Sequence, residues 1–210
     1  QLALVWLGGA VVFLGFGSVA WGASVGNHRI RVDRVMLPLA GSTEEHRALR
    51  VVHITDLHIG PLLPAERLPR FVDRINELEP DLTVITGDLF DFDPAYVDAG
   101  CRELSGLRAR LGVFAVTGNH DVYTGSEVVA AGLRAHTEIR LLRNDWQSVD
   151  VDGAPLAIAG IDDPGDGWTE RESEHPELAA LAARIPAELP KVLLAHRPSY
   201  FGHAQRLGFS

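Results

Sequence analysis

The chain has 210 residues, 46% of them hydrophobic, and a formal net charge of −9. That is enough apolar material for a globular core, and the acidic balance argues against a surface that holds nucleic acid. One cysteine, Cys101, excludes an intramolecular disulfide, and no zinc-ribbon spacing, P-loop, dinucleotide-binding glycine motif, internal repeat or low-complexity tract is present.

From Gln1 to Asn27 there is no charged residue. An apolar run of that length crosses the roughly 30 Å hydrocarbon core as a helix. Gly8, Gly9, Gly15 and Gly17 suit close packing in lipid, and Trp6 and Trp21 suit the two interfaces. A cleaved signal peptide has a shorter apolar region and a basic start. Residues 1–27 are therefore expected to be a transmembrane helix that places the protein in a membrane, with residues 28–210 as the domain that follows. Arg29, Arg31 and Arg34 come next, and the positive-inside tendency puts that domain on the cytoplasmic side.

The remainder alternates between strand and helix patterns. HRIRVDRVMLPL reads as an edge strand and LRVVHIT as the strand after it. PAERLPRFVDRINELEP has helical spacing through Leu68, Phe71, Val72, Ile75 and Leu78 and stops at Pro80. DLTVIT is a buried strand, PAYVDAGCRELSGLRAR a helix carrying Cys101, GVFAVT a strand, and SEVVAAGLRAH a third helix. WQSVDVDGAPLAIAGI reads as a hairpin turning at Asp152-Gly153. A loop follows, then a helix near residues 176–184, the strand KVLLA, and a helix after Pro198. Such alternation predicts an α/β fold with helices outside a layered sheet.

Polar groups cluster where four of these strands end. Asp56 and His58 follow HIT, Asp88 follows TVITG, Asn119, His120 and Asp121 follow AVTG, and His196 follows VLLA. Ligands of open α/β sheets bind beyond the carboxyl ends of the strands, so these groups should meet at one rim. Carboxylate, amide oxygen and imidazole without thiolate suit borderline divalent metals. An aspartate between two cations can hold them about 3.5–4 Å apart, a spacing that clamps phosphate. Around this set, Asp91 is a partner for a ligand or a turn cap, and His53 lies on a sheet face. Arg197 is either a bidentate phosphate binder or a salt-bridge partner. Asp162 and Asp163 cap a loop or line the pocket, and His136, His175 and His203 read as surface or helix-end residues.

The ordered set Asp56-Leu57-His58, Gly87-Asp88, Gly118-Asn119-His120-Asp121 and His196 resembles the calcineurin-like metallophosphoesterases, over about residues 48–210. The phrases ITDLHIG, PDLTVITGDLFD and VFAVTGNHD are similar to the membrane-associated bacterial branch. The resemblance implies a four-layer α/β/β/α sandwich and two divalent metal ions (Mn, Fe or Zn). It implies that Asp56, His58 and Asp88 hold one metal, that Asp88 bridges, and that Asn119 and His196 hold the second. His120 would protonate the leaving oxygen, with Asp121 orienting it. The implied reaction is attack of metal-bound hydroxide on a phosphomonoester, phosphodiester or pyrophosphate, a phosphodiester being favoured and a lipid-linked substrate fitting the tether. The family's last motif, G-H-x-H, has no counterpart here, and both chain ends read as truncations, leaving the carboxyl-terminal part of the domain incomplete. A catalytically inactive, membrane-bound binding or structural domain is the alternative.

Overall fold

The computed structural model describes residues 13–18, 30–37, 48–166 and 174–210. The chain divides into two compact units, Gln1–Leu37 and Pro38–Ser210. In the first, residues 13–18 are helical. The rest of the expected membrane span, residues 1–27, lies outside the described residues, among which no helix is long and apolar enough to cross a membrane. Residues 30–37, expected to be an edge strand, form none. Their alternation of apolar and charged side chains fits a strand, but among the described residues no strand pairs with them, and Arg31 instead bonds its own neighbour Asp33.

The second unit contains two sheets. Strands β1 (Val51–Ile54), β2 (Leu82–Thr86), β3 (Val113–Val116) and β4 (Arg140–Leu141) form a parallel four-stranded sheet in that order. Strands β5 (Asp145–Val151), β6 (Ala154–Gly160) and β7 (Lys191–Leu194) form the second sheet, β5 antiparallel and β7 parallel to β6. The β5–β6 hairpin turns at Asp152 (φ 55°) and Gly153 (φ 93°), the two positive φ angles that a type I′ turn needs. Helices α1 (Leu68–Asn76), α2 (Val97–Leu104) and α3 (Asn119–His136) pack on the first sheet, and α4 (Leu178–Arg184) and α5 (Phe201–Arg206) on the second.

The two-residue period of the strands creates three cores. In the first sheet, Ile85, Val113 and Ala115 face outward to meet Leu68 and Val72 of α1, Val97, Cys101 and Leu104 of α2, and Val129 and Leu133 of α3. Leu82, Val84, Phe114 and Val116 face inward and meet Val149, Leu156, Ile158 and Leu194 of the second sheet. Ala157, Ala159 and Ile161 then face α4 and α5, where they meet Leu178, Leu181, Tyr200 and Ala204. The layers are helix, sheet, sheet, helix. Cys101 is fully buried in the first core, where burial pushes its thiol up to about 12, so it packs as a small hydrophobe.

Candidate metal centre

The three parallel strands β1, β2 and β3 end side by side, so the residues that follow them start as neighbours. Backbone pairing continues past the strand ends: Asp56 N–H donates to the Gly87 carbonyl (3.2 Å) and His58 N–H to the Asp88 carbonyl (2.9 Å). The loops then turn sharply. Asp56 (φ 54°), His58 (φ 47°) and Asp88 (φ 53°) all occupy the left-handed region that non-glycine residues seldom enter. Three such residues in one small site hold their side chains in place at a conformational cost of about 1–3 kcal/mol each.

Two glycines allow this crowding. A Cβ on Gly118 would lie 2.1 Å from Asp88 Oδ1 and 2.5 Å from Asp88 N, and one on Gly87 would lie 2.5 Å from Gly118 N. The β2 and β3 loops therefore touch backbone to backbone beneath the Asp88 carboxylate.

Asp56, His58, Asp88, Asn119, His120 and His196 line a single open cleft of about 400 Å³, together with Pro198. Asp88 lies at its centre and is 3% exposed. Its Oδ1 accepts the His120 backbone N–H at the start of α3 (2.9 Å). Its Oδ2 lies 3.5 Å from His58 Nε2 and 3.4 Å from His196 Nε2. His196 arrives from β7, in the other sheet, and its Nδ1 lies 2.9 Å from the Thr86 carbonyl at the end of β2. A carbonyl only accepts, so Nδ1 carries the proton and Nε2 presents a lone pair towards Asp88 Oδ2. Two acceptors facing one another call for a proton or a cation between them. Burial opposes charging of His196, but the contact with Asp88 prevails and raises its pKa to about 9. Burial likewise opposes ionisation of Asp88, yet His196 and the His120 N–H hold its carboxyl below the usual range.

Two further observations fit divalent cations in place of that proton. Ligand atoms of Asp56, His58 and Asp88 all lie within 4.8 Å of one another. Asn119 is 7% exposed, and its side-chain Oδ1 is buried without a hydrogen-bond partner. A buried amide oxygen left unsatisfied is costly, and a cation would satisfy it. The donor set, oxygen and imidazole, agrees. His58, Asp91 and His120 form a second cluster of the same kind.

His120 stands beside this centre, its ring 4.4 Å from that of His58 and perpendicular to it. The residue that holds it is not Asp121, as the sequence suggested, but Asp91: His120 Nδ1 lies 3.1 Å from Asp91 Oδ1. Asp121 is fully buried and turned inward, where it accepts the N–H groups of Phe90 (3.0 Å) and Gly118 (2.9 Å). At the third position of α3, its carboxylate is drawn to the Gly118 amide at the helix start and to the Phe90 amide of the loop after β2 rather than to the ring beside it. Burial pushes its pKa up to about 6 against those two hydrogen bonds. Asp121 thus pins the β2 and β3 loops together and is a positioning residue. The three-residue spacing from Asp88 was the sequence signal for Asp91.

Arg197, read as a phosphate binder or a salt-bridge partner, forms a salt bridge. It is 5% exposed and forms a bidentate pair with Asp163, with Nε to Oδ2 and Nη2 to Oδ1 both at 2.7 Å. It also donates to the Asp166 carbonyl. Asp162 accepts from Thr117 Oγ1 and from Arg143, each at 2.9 Å, tying the end of β6 to the end of β3. His175, read from the sequence as a surface or helix-end residue, stands just before α4 and is 4% exposed: one ring nitrogen meets the Asp162 carbonyl (3.0 Å) and the other accepts the Glu177 N–H (3.2 Å). His53 lies 2.7 Å from Thr86 Oγ1, on the sheet face.

A four-layer sandwich that gathers carboxylate, amide and imidazole groups at the ends of its strands has the makings of a metal-dependent hydrolase. The chain belongs to the calcineurin-like phosphoesterase family, whose sequence profile matches residues 49–208. It is similar to a "transmembrane protein with metallophosphoesterase domain" of Bos taurus (30% identity over 173 residues, 80% of this chain and 39% of that protein). It is also similar to metallophosphoesterases of Campylobacter jejuni (31% identity; 71% of this chain and 38% of that protein) and Bacillus subtilis (28% identity; 87% and 66%). The chain thus spans less than half the length of the cow and Campylobacter relatives.

Proposed function

We propose that this chain is the catalytic part of a membrane-tethered phosphoesterase that uses two divalent cations, of the Mn, Fe or Zn kind, and favours phosphodiesters, lipid-linked ones included. The observation that carries the reading is the placement of Asp88 Oδ2 between two imidazole nitrogens, 3.5 and 3.4 Å away, one from each sheet. On this reading Asp56, His58 and Asp88 hold one cation, and Asp88, Asn119 and His196 the other. When bound, the cations place positive charge beside the phosphate oxygens and lower the pKa of a bound water. The protein's own groups do the rest. Thr86 fixes the His196 tautomer, the α3 amide at His120 fixes the free oxygen of Asp88, and Asp91 fixes His120 with its other nitrogen left for the leaving oxygen. His120 gives that oxygen its proton.

The test is a pair of variants in the metal-supplemented, full-length protein. His120→Asn and Asp91→Asn should keep near-normal metal content. Turnover should fall about 10²–10⁴-fold for His120→Asn, the usual worth of a general acid, and less for Asp91→Asn. The loss should shrink with nitrophenolate leaving groups, which need no proton. Loss of metal from His120→Asn would make His120 a ligand and overturn its role as the acid.

The tether belongs to the same proposal. Its support is the uncharged stretch from Gln1 to Asn27 and the description of relatives as transmembrane proteins. Arg29, Arg31 and Arg34 place the domain on the cytoplasmic side. Deleting residues 1–26 should move the protein from the membrane fraction to the soluble fraction with its circular dichroism unchanged. A deletion variant that stayed in the membrane pellet would refute the anchor.

A further inference from the structure

Two exposed aromatic rings stand beside His120 with no part in the proposed chemistry. Phe92 is 55% exposed and its ring centroid lies 4.4 Å from that of His120. Tyr123 is 48% exposed and lies parallel to Phe92, with centroids 5.6 Å apart and planes within 4°. Tyr123 in turn lies 5.8 Å from His120. The three rings form one patch on the cleft's α3 side. Aromatic surface of this kind, left in water beside a reactive centre, contributes nothing to the core.

The backbone under Phe92 points the same way. Asp93 N–H donates to the Asp91 carbonyl at 2.6 Å, a three-residue turn with Phe92 at its centre and φ 52°. Turns of that hand are rare and strained, and a bulky residue at positive φ is an outlier. Such strain persists where surrounding contacts impose it, and it clusters at ligand clamps. Here the turn is anchored on one side by the Asp91 N–H on the Ile59 carbonyl (3.1 Å) and on the other by the Asp93 carboxylate on the Ala95 N–H (2.9 Å). One strained turn thus sets both Asp91, which holds His120, and Phe92, which flanks it.

The charge of the cleft limits what lies there. Among the described residues that line it, none is Lys or Arg, and the cation next to His196, Arg197, is bonded to Asp163. Among the described residues, the cleft therefore offers no side-chain cation to a second phosphate. That favours a substrate with one phosphate and one negative charge, and it disfavours a nucleoside polyphosphate.

We infer that the Phe92–Tyr123 pair is a shelf for the leaving group, and that the substrate class is a phosphodiester whose leaving alcohol carries an apolar ring or chain. The inference rests on the phosphoesterase reading above. A group that receives a proton from His120 must lie within reach of His120, so the atoms beyond the leaving oxygen come to lie on Phe92. In the hydrolysis, water's oxygen replaces the leaving oxygen on phosphorus. The departing oxygen takes the His120 proton and leaves as a neutral alcohol, and the proton released from water recharges His120.

The test compares benzyl methyl phosphate with ethyl methyl phosphate in the manganese-supplemented, full-length protein, with the released alcohols measured by chromatography. Binding of methyl benzylphosphonate and methyl ethylphosphonate, measured by calorimetry, gives a readout independent of turnover. The parent should prefer the benzyl compound about tenfold or more in both measurements, the worth of one good apolar contact. Phe92→Ala should remove that preference, costing the benzyl compound about tenfold more than the ethyl compound, and Tyr123→Phe, which keeps the stack, should retain it. Preservation of a benzyl preference in Phe92→Ala, or an equal loss on both compounds, would overturn the shelf and leave the phosphoesterase reading intact. Failure of the parent to cleave either diester or bis(4-nitrophenyl) phosphate would overturn both. Short-chain phosphatidyl and nucleoside 2′,3′-cyclic phosphate substrates then separate an acyl chain from a base as the natural occupant; equal neglect of both would reject an apolar leaving group.

Discussion

Asp88→Asn should abolish phosphoesterase activity and metal binding together. Asp88 is the residue on which the centre converges: one oxygen is tied to the His120 amide and the other faces two imidazoles. Asparagine is nearly the same size, so the fold should survive, but the negative charge proposed to bridge the cations is gone. In one of its two orientations the amide would donate N–H groups to the imidazole nitrogens and present no lone pair to a cation. Loss of a bridging ligand exceeds the 10–100-fold that outer partners of a metal site are worth, so turnover should drop by more than about 10³-fold. Metal content measured by atomic emission should fall in parallel. Manganese should raise the melting temperature of the parent, because a ligand that binds only the folded state stabilises it, and should leave the variant unmoved. A variant that kept its metal and lost only activity would remove Asp88 from the bridging position.

Gly118→Ala should cost stability and the site at once. The backbone at Gly118, φ −105° and ψ −179°, is one alanine adopts freely. The obstacle is space: the new methyl would stand 2.1 Å from Asp88 Oδ1 and 2.5 Å from Asp88 N. The second contact is to backbone and cannot rotate away. Overpacking of this kind costs about 1–3 kcal/mol, and relief requires moving the β2 loop that carries Asp88. Chemical denaturation should report the stability loss, and metal titration should report a weakened site. Gly106→Ala, which meets a movable Val72 side chain at 2.9 Å, should leave metal affinity unchanged and so serve as the control. Equal metal affinity in Gly118→Ala and the parent would mean that the two loops are not in contact in solution.

Much of this was legible in the chain because its strands are short, apolar and bounded. LTVIT and VFAV have no other comfortable home than a buried parallel sheet, and their polar successors then fall at one rim by construction. The hairpin followed from Asp152-Gly153. What the sequence left open or placed differently has a common cause. Asp121 and Arg197 stand next to site residues in the chain, and chain neighbours point in different directions. Asp121 is captured by the Gly118 amide at the start of α3 and the Phe90 amide of the loop after β2, and Arg197 by a carboxylate of another loop. Asp91, three residues from Asp88, reaches His120 only because the chain reverses through Phe92. The edge strand expected at residues 28–39 had the alternation of a strand, but its described residues, 30–37, form none, and pairing is a property no local pattern contains. Phe92 and Tyr123 gave no signal at all, since a lone aromatic in a loop reads as core until its exposure is known.

The centre draws on both sheets. Asp56, His58, Asp88 and Asn119 descend from β1, β2 and β3, while His196 comes from β7 and bonds back to Thr86. Elsewhere the sheets adhere through apolar side chains such as Phe114, Val149 and Ile158, with one polar tie from Thr117 beyond β3 to Asp162 beyond β6. An ion held between Asp88 and His196 would act as a rivet through the middle of the sandwich, fastening the two halves at a fixed offset. Loaded protein would then open as one unit, and starved protein would open first at β7 and the helix after it, presenting that end to proteases. Supply of the metal would govern how long the molecule persists, as well as what it can hydrolyse.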